Sequence, residues 1–478
     1  MTETGLVSEK RVPCPRCKAP IVEGARKCRA CKAWLDGRDN PPRTPRAAII
    51  VLTAVSTVMA VLISSRESPV GEAPPLTKLG ADTADAGAGQ PPPSPGAIGP
   101  EIEAEPEPPP PDPNRPWHAR EIRIGEVHPL DIVWSPSGQS IYVSADDATL
   151  REYRIKNGDL VHQASVTAQG DELRLLFGRW VAVLRHHDAA RIPVMDTTTW
   201  DRDPTLLDVG ASPGDIIELP DGRSVVAASI EGKRVSRFDI VTGTRIADIT
   251  LPHATGALFL VRAENRPYVA ALGALTHAGQ PAGAWIDLFD PSEGPFGATR
   301  RSISVGRAPR LGAVTADGGD LFIPDRVSNT AMLLHVAGTT EAREVSVDSS
   351  PEAGFLMDDD RYGVTINSGG RTATVIALPP HAGTSGKPAK MEVRTTLMLG
   401  GAPCSGAVSP DRRTLFVSLG GTERPPKGTG VEIIAGDPPR VVGTLPTGKG
   451  ACAVAVSRDG ARAAVASYYS KSITILEQ

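Results

Sequence analysis

From residue 128 onward the chain repeats one pattern, in which a loop leads to an apolar strand, a polar turn and a second apolar strand. Five copies are regular, and their turns align at 135–138, 219–222, 315–318, 409–412 and 457–460. Three further copies are less regular and turn near 178, at 263–265 and at 358–360. Successive turns are spaced by about 46 residues on average, and no stretch with helical periodicity interrupts the series.

Short strands at this spacing predict an all-β fold in which each copy forms one four-stranded blade of a β-propeller. Counting the turns gives eight blades, or seven if one irregular copy is an insertion. The last copy ends at its third strand, around 473–476, whereas a lone strand at 121–124 precedes the first copy. We expect these two strands to pair, because pairing would complete the last blade and cover a sheet edge. The predicted propeller domain is 117–478.

Two segments carry the repeat most clearly. The first is Gly125-Glu126-Val127-His128-Pro129 followed by Ser135-Pro136-Ser137-Gly138, and the second is Gly400-Gly401-Ala402-Pro403 followed by Ser409-Pro410-Asp411. This pattern resembles the bacterial surface-type β-propellers with YVTN-like repeats, although the four-residue name motif itself is absent. The resemblance covers 118–478 and implies a ring of blades whose loops present a binding surface.

The N-terminus contains four of the six cysteines, arranged as Cys14-Pro15-Arg16-Cys17 and Cys28-Arg29-Ala30-Cys31. Two such pairs can supply four thiolates to one tetrahedral zinc ion. The stretch resembles the small zinc-ribbon domains found at bacterial protein N-termini. We therefore expect Cys14, Cys17, Cys28 and Cys31 to bind zinc as the cofactor of a basic domain at 1–46. A metal used only to fold this short segment is the simplest interpretation.

Residues 47–65 contain no charged side chain and would span about 29 Å as a helix, close to the thickness of the hydrocarbon core of a bilayer. Forty-six residues with a metal-site pattern precede this stretch, which favours an uncleaved signal anchor over a cleaved signal peptide. Lys and Arg are dense before the stretch and sparse directly after it. The positive-inside rule then places the zinc ribbon in the cytoplasm and the propeller in the periplasm or outside the cell.

A proline-rich acidic linker at 66–116 is predicted to be disordered. It contains fifteen prolines and nine acidic residues against three basic ones, and almost no large apolar side chain. Such a sequence cannot bury enough surface to offset the entropy of ordering it. We expect it to hold the propeller away from the lipid of the inner or plasma membrane.

Two groups of residues in the repeats are candidates for function. His128, Arg307, Arg310 and Lys449 lie in loops that lead into first strands, so they could form a cationic rim for an anionic ligand, or simply be solvated loop residues. Cys404 and Cys452 occupy equivalent positions in neighbouring copies, which brings them side by side. They could form a disulfide in an oxidising compartment or remain two thiols.

The remaining sequence narrows the class of function. The net charge of −4 argues against a nucleic-acid partner for the whole chain. The sequence contains no nucleophile elbow, phosphate-binding loop or haem-attachment motif. We therefore expect a membrane-anchored propeller that binds a protein, peptide or polymer and has no catalytic activity. The alternative is a propeller enzyme, lactonase-like or cofactor-dependent, with its active site at the mouth of the channel.

Overall fold

The computed structural model describes residues 11–14, 20–22 and 115–478, apart from 187–188, 264–265, 278–279, 293–295, 298–299, 337–341, 380–389 and 422–427. Every regular element in these residues is a β-strand. Cys17, Cys28, Cys31, the predicted membrane helix at 47–65 and nearly all of the linker at 66–116 lie outside them. None of the described segments is a helix with the length and apolar character needed to cross a membrane.

In the N-terminal unit, two short strands are described. These are β1 (Arg11–Pro13) and β2 (Pro20–Val22), which pair antiparallel with Val12 opposite Ile21. Cys14 directly follows β1 and is fully buried. The first predicted zinc ligand is therefore held next to a strand pair.

The other thirty-two strands, which include β3 (His118–Arg123), form eight four-stranded antiparallel sheets, numbered here as blades 1 to 8 from residue 129. Blades 1 to 4 comprise β4 (Pro129–Trp134), β5 (Ser140–Ala145), β6 (Thr149–Lys156), β7 (Asp159–Thr167); β8 (Glu172–Leu176), β9 (Trp180–Leu184), β10 (Arg191–Asp196), β11 (Thr205–Asp208); β12 (Pro213–Glu218), β13 (Ser224–Ser229), β14 (Arg234–Asp239), β15 (Arg245–Thr250); and β16 (Thr255–Ala263), β17 (Arg266–His277), β18 (Gln280–Phe289), β19 (Arg300–Val305). Blades 5 to 8 comprise β20 (Ala313–Val314), β21 (Asp320–Asp325), β22 (Thr330–His335), β23 (Arg343–Ser346); β24 (Pro351–Met357), β25 (Tyr362–Asn367), β26 (Thr372–Ala377), β27 (Glu392–Met398); β28 (Ser405–Val408), β29 (Thr414–Ser418), β30 (Val431–Ala435), β31 (Arg440–Leu445); and β32 (Ala451–Val456), β33 (Arg462–Ser467), β34 (Ser472–Glu477) with β3.

The first strand of each blade lies innermost, since the first strands of successive blades contact one another around the ring and β32 contacts β4. The eight-bladed prediction is confirmed, and the alternative of seven blades is wrong. The three irregular copies also form complete blades, namely blades 2, 4 and 6. By contrast, blade 5 looks regular in sequence but has a first strand of only two residues.

A serine or threonine hydroxyl stabilises four of the five regular turns. At the turn of blade 8, the Arg462 backbone N–H donates to Ser457 Oγ at 3.0 Å, and the Ser457 N–H donates to the Arg462 carbonyl at 2.8 Å. Gly460 in this turn has a φ of +71°, which glycine adopts without steric cost. Ser135, Thr315 and Ser409 accept the same side-chain bond in blades 1, 5 and 7. The repeated turn therefore fixes the register of the first two strands.

Ring closure follows the prediction from the sequence. The N-terminal strand β3 pairs antiparallel with β34, and Ile122 lies opposite Ile473. Ser472 Oγ donates to Glu121 at 2.6 Å beside this pair. Just before β3, the Trp117 ring packs edge-on against the buried Phe416 ring of blade 7, with centroids 4.9 Å apart. Blade 8 is thus built from both ends of the propeller sequence.

Apolar side chains fill the spaces between blades. Ile132 and Ile141 of blade 1 pack in one cluster with Ala466 and Ile473 of blade 8. Ile141 and Ile473 are fully buried. Burying one such side chain stabilises the fold by about 1.5–3 kcal/mol. The closing blade is therefore held by packing as well as by strand pairing.

Candidate functional site

A cavity of about 320 Å³ opens at the face where the first strands begin, which we call the upper face. The first strands of blades 2 to 5 surround it. Gly214, Gly256 and Gly273 line the cavity on blades 3 and 4, and Arg174 and Arg310 line it on blades 2 and 5. The cavity therefore lies among the inner strands of four neighbouring blades, at the upper face.

Arg174 organises the wall formed by blades 2 and 3. Its guanidinium donates to Asp215 at 3.2 Å and to the Leu173 carbonyl at 3.1 Å, and it forms an ion pair with Glu172. Burial lowers the pKa of Arg174, but attraction to Asp215 and Glu172 outweighs burial and raises it. The positive charge is permanent, and it links the first strands of two blades.

His186 completes this network as a cation. Its Nδ1 lies 2.9 Å from the Pro213 carbonyl oxygen, and its Nε2 lies 2.7 Å from Glu172 Oε2. The Pro213 carbonyl and the ionised Glu172 carboxylate both accept hydrogen bonds, so a ring with a proton on each nitrogen satisfies both contacts. The hydrogen bond to Glu172 accordingly raises the pKa of His186. Burial raises the pKa of Glu172, but the bonds from His186 and Arg174 outweigh it and lower that pKa.

Two aspartates join neighbouring first strands. Asp131 Oδ2 accepts the Leu173 N–H at 2.7 Å, and Asp215 Oδ2 accepts the Leu258 N–H at 3.0 Å. Burial raises the pKa of Asp131 to about 7 and also raises the pKa of Asp215, against the pull of these backbone bonds. Each carboxylate therefore links its own blade to the next one around the ring.

The sequence analysis missed this network. A usable signal was present, because Pro129-Leu130-Asp131-Ile132 and Pro213-Gly214-Asp215-Ile216 place an aspartate at the same point of two first strands. The polar side-chain atoms of this network form most of their hydrogen bonds and ion pairs with one another and with nearby backbone groups. Chemically, the arrangement is suited to holding the ring rigid and to setting the charge of the cavity wall.

The four residues of the predicted rim all lie in loops of the upper face, but in two groups. On blades 8 and 1, the His128 ring stacks on Tyr468 with centroids 4.5 Å apart, and Lys449 Nζ lies 5.8 Å from the Tyr469 ring centroid. Arg307 and Arg310 lie on blade 5, across the channel. Arg310 alone among the four lines the cavity.

A disulfide joins Cys404 and Cys452, whose Cα atoms are 5.3 Å apart. The sequence is compatible with either a disulfide or two free thiols at this pair, and the structure contains the disulfide. The two residues lie at the inner strands of blades 7 and 8, where Ser418 Oγ donates to the Cys452 carbonyl at 2.6 Å. Such bonds persist mainly in oxidising compartments.

No protein family matches the sequence, and no curated protein is similar to it in sequence. Among solved structures, the chain is similar to the β-propeller domain of Cps50 (Swd1) from Myceliophteria thermophila, with a TM-score of 0.47 and 13% identity over 76% of this chain and 100% of that one. It is also similar to hydrazine synthase from Kuenenia stuttgartiensis, with a TM-score of 0.49 and 15% identity over 75% of this chain and 97% of that one. At these values neither structure carries an argument about function. The YVTN-like and zinc-ribbon resemblances stay predictions.

The His186 network predicts a pH dependence of stability. Since the folded-state pKa of His186 is raised, its contribution is complete below the ordinary pKa of about 6.5 and is lost as the pH rises through the folded-state pKa. Relative to wild type, His186→Gln should therefore lose about 1–2 kcal/mol at pH 6 and less at pH 9, measured by urea unfolding. His118→Gln, on an exposed strand, serves as the control. A gap between wild type and His186→Gln that is equal at both pH values would contradict the charged network.

Proposed function

We propose that this protein is a single-pass membrane protein whose propeller acts as a binding or scaffold module outside the cytoplasm, using its upper face. The observation that carries the proposal is the point at which the chain enters the ring. The Arg115 carbonyl accepts a bond from Gln478 Nε2 at 3.3 Å, and His118 pairs with Glu477. Both lie at the lower face, where first strands end. A tether leaving from there would keep the upper face unobstructed.

Membrane anchoring is supported by the uncharged stretch at 47–65, with its basic N-terminal flank. The Cys404–Cys452 disulfide supports a location of the propeller outside the cytoplasm, because cytoplasmic reductants disfavour such bonds. The proline-rich linker would give the propeller reach from the inner or plasma membrane. These features fit one arrangement, in which the upper face meets a protein, peptide or polymer partner.

A structural zinc ion in the cytoplasmic domain is part of the proposal. Cys14 is buried beside the β1–β2 pair, which suits a ligand in a closed site. Cys17, Cys28 and Cys31 would complete a set of four thiolates, the donors that zinc prefers in structural sites. The metal would fold a segment that is too short to build its own core.

Binding is proposed ahead of catalysis because of how the cavity groups are engaged. Arg174, Glu172 and His186 use their polar atoms on one another, and this leaves them poorly placed to attack or protonate a substrate. A rigid, charged rim around a cavity suits recognition. A propeller with eight sets of loops offers a wide surface for it.

Charge reversal on either face tests which face binds. Lys449→Glu changes the upper rim of blade 8, and the matched control Arg458→Glu changes an exposed lower-face turn. The full-length protein should capture a partner from the extracytoplasmic fraction, and Lys449→Glu should reduce recovery several-fold while Arg458→Glu leaves it unchanged. Loss of recovery with Arg458→Glu alone would move the contact to the lower face. Absence of any saturable partner would refute the binding function.

Thiol labelling tests the proposed topology. In cells quenched with acid and alkylated without reductant, we expect Cys404 and Cys452 to stay unlabelled until a reductant is added. The four N-terminal cysteines should label without reductant once a chelator has removed zinc. Mass spectrometry of the peptides provides the measurement. Full labelling of Cys404 and Cys452 without reductant would place the propeller in a reducing compartment instead.

A further inference from the structure

Three arginines gather on the upper face at blade 5: Arg307, Arg310 and Arg326. Arg307 and Arg310 precede the first strand of the blade, and Arg326 follows its second strand. We propose that this arginine cluster binds carboxylate side chains of an acidic peptide segment in the partner. The inference rests on the proposed role of the upper face and adds the chemical class of the ligand.

Buried Asp325 fixes the two loops that carry Arg307 and Arg326. Its carboxylate is fully buried and accepts the backbone N–H groups of Arg307, Ala308, Val327 and Ser328, the last three at 2.9, 3.0 and 2.8 Å. The Arg326 N–H also donates to the Ala308 carbonyl at 3.0 Å. The backbone at the cluster is therefore preorganised, which lowers the entropic cost of binding.

A single glutamate, Glu352, pairs with two of the three arginines. Glu352 of blade 6 accepts a bond from Arg310 Nη2 at 2.7 Å and from Ser368 Oγ at 2.7 Å, and Arg326 Nε lies 3.4 Å away. The Glu352 side chain is 8% exposed, whereas those of Arg310 and Arg326 are 42% and 44% exposed. Among the described residues, the Arg307 side chain forms neither a hydrogen bond nor an ion pair. Counted against the buried carboxylates of Asp325 and Glu352, the three arginines leave about one positive charge, and the exposed Arg307 side chain is the one that has no carboxylate partner in the part of the chain that the structure describes.

The surroundings select among anions. Guanidinium groups bind carboxylates and phosphates through paired hydrogen bonds. A dense polyanion would face Glu352 inside the cluster, because this carboxylate already occupies Arg310 and lies close to Arg326. Leu311 lies directly after Arg310 and is 50% exposed, so it offers an apolar contact beside the charge. An extended peptide that alternates acidic and apolar residues satisfies both conditions.

The test uses full-length protein and a short fluorescent peptide of alternating glutamate and leucine, followed by anisotropy. Binding should be saturable, should weaken with added salt, and should vanish when glutamine replaces glutamate. Arg307→Ala, Arg310→Ala and Arg326→Ala should each weaken binding by about threefold to tenfold. Arg394→Ala is the matched control, since this outer-strand arginine also pairs with a glutamate, at 3.2 Å, and should bind as wild type does.

Glu352→Gln separates a binding site from a merely structural cluster. Removing this competing carboxylate should tighten peptide binding, and Arg310→Lys should weaken it although the charge is kept. Unchanged melting curves would show that the variants are folded. Equal binding of the glutamine peptide, or tighter binding of inorganic polyphosphate than of the glutamate peptide, would overturn the inference.

The two proposals can fail separately. If Lys449→Glu abolishes partner capture while the glutamate peptide does not bind, the proposal that the upper face binds a partner is supported and the proposal of an acidic ligand is refuted. If the peptide binds through the arginines while Lys449→Glu leaves partner capture unchanged, the arginine cluster is supported as an acidic-peptide site. The wider contact of the partner with the upper face is then refuted.

Discussion

The pairing of β3 with β34 is the contact on which the rest of the ring depends. The last blade gains its fourth strand from the other terminus of the domain. Without β3, the outer edge of β34 would expose a row of unpaired backbone groups. Packing of Trp117 on Phe416 adds a side-chain contact to this seam. The same pairing fixes where the chain enters the ring. β3 starts at the lower face, whereas the cavity and both cationic groups lie on the upper face.

Inside the ring, charge and hydrogen bonding hold neighbouring blades at fixed distances. Asp131 and Asp215 accept backbone N–H groups from the next first strand, and Arg174 joins the wall between them. Blades 7 and 8 are joined covalently by the disulfide instead. The cavity therefore has one wall in which Glu172 and Asp215 are paired with Arg174, and an opposite wall that includes Arg310 of the arginine cluster.

The fold was predictable because five of the eight blades carry the same local turn. The hydroxyl of Ser457 or Thr315 and the following glycine act within a few residues, so their spacing in the sequence reveals the blades. Blade 5 shows the limit of such local signals. Its turn is regular, yet its first strand is short, since Pro309 and Leu311 instead form isolated bridges with Asp325 and Ala353.

The candidate site was only partly predictable, because it depends on contacts between blades. Arg310 was identified from its loop, but its partner Glu352 lies 42 residues further along and meets it only when blades 5 and 6 stack. Asp325 looks like an ordinary strand end in the sequence, and its four backbone bonds follow from the folded loops. The sequence could not decide between a disulfide and two thiols for the same reason, because the distance between first strands depends on the closed ring.

Hydrogen exchange at the seam tests ring closure most directly. In the full-length protein at neutral pH, peptides covering His118–Arg123 should retain protection at about half of their amides, as expected for an edge strand bonded on one side. Peptides covering Ser472–Glu477 should be protected at nearly all of their amides, because β34 is bonded on both sides. Free exchange throughout His118–Arg123, with protection confined to one side of β34, would contradict closure and the entry of the chain at the lower face.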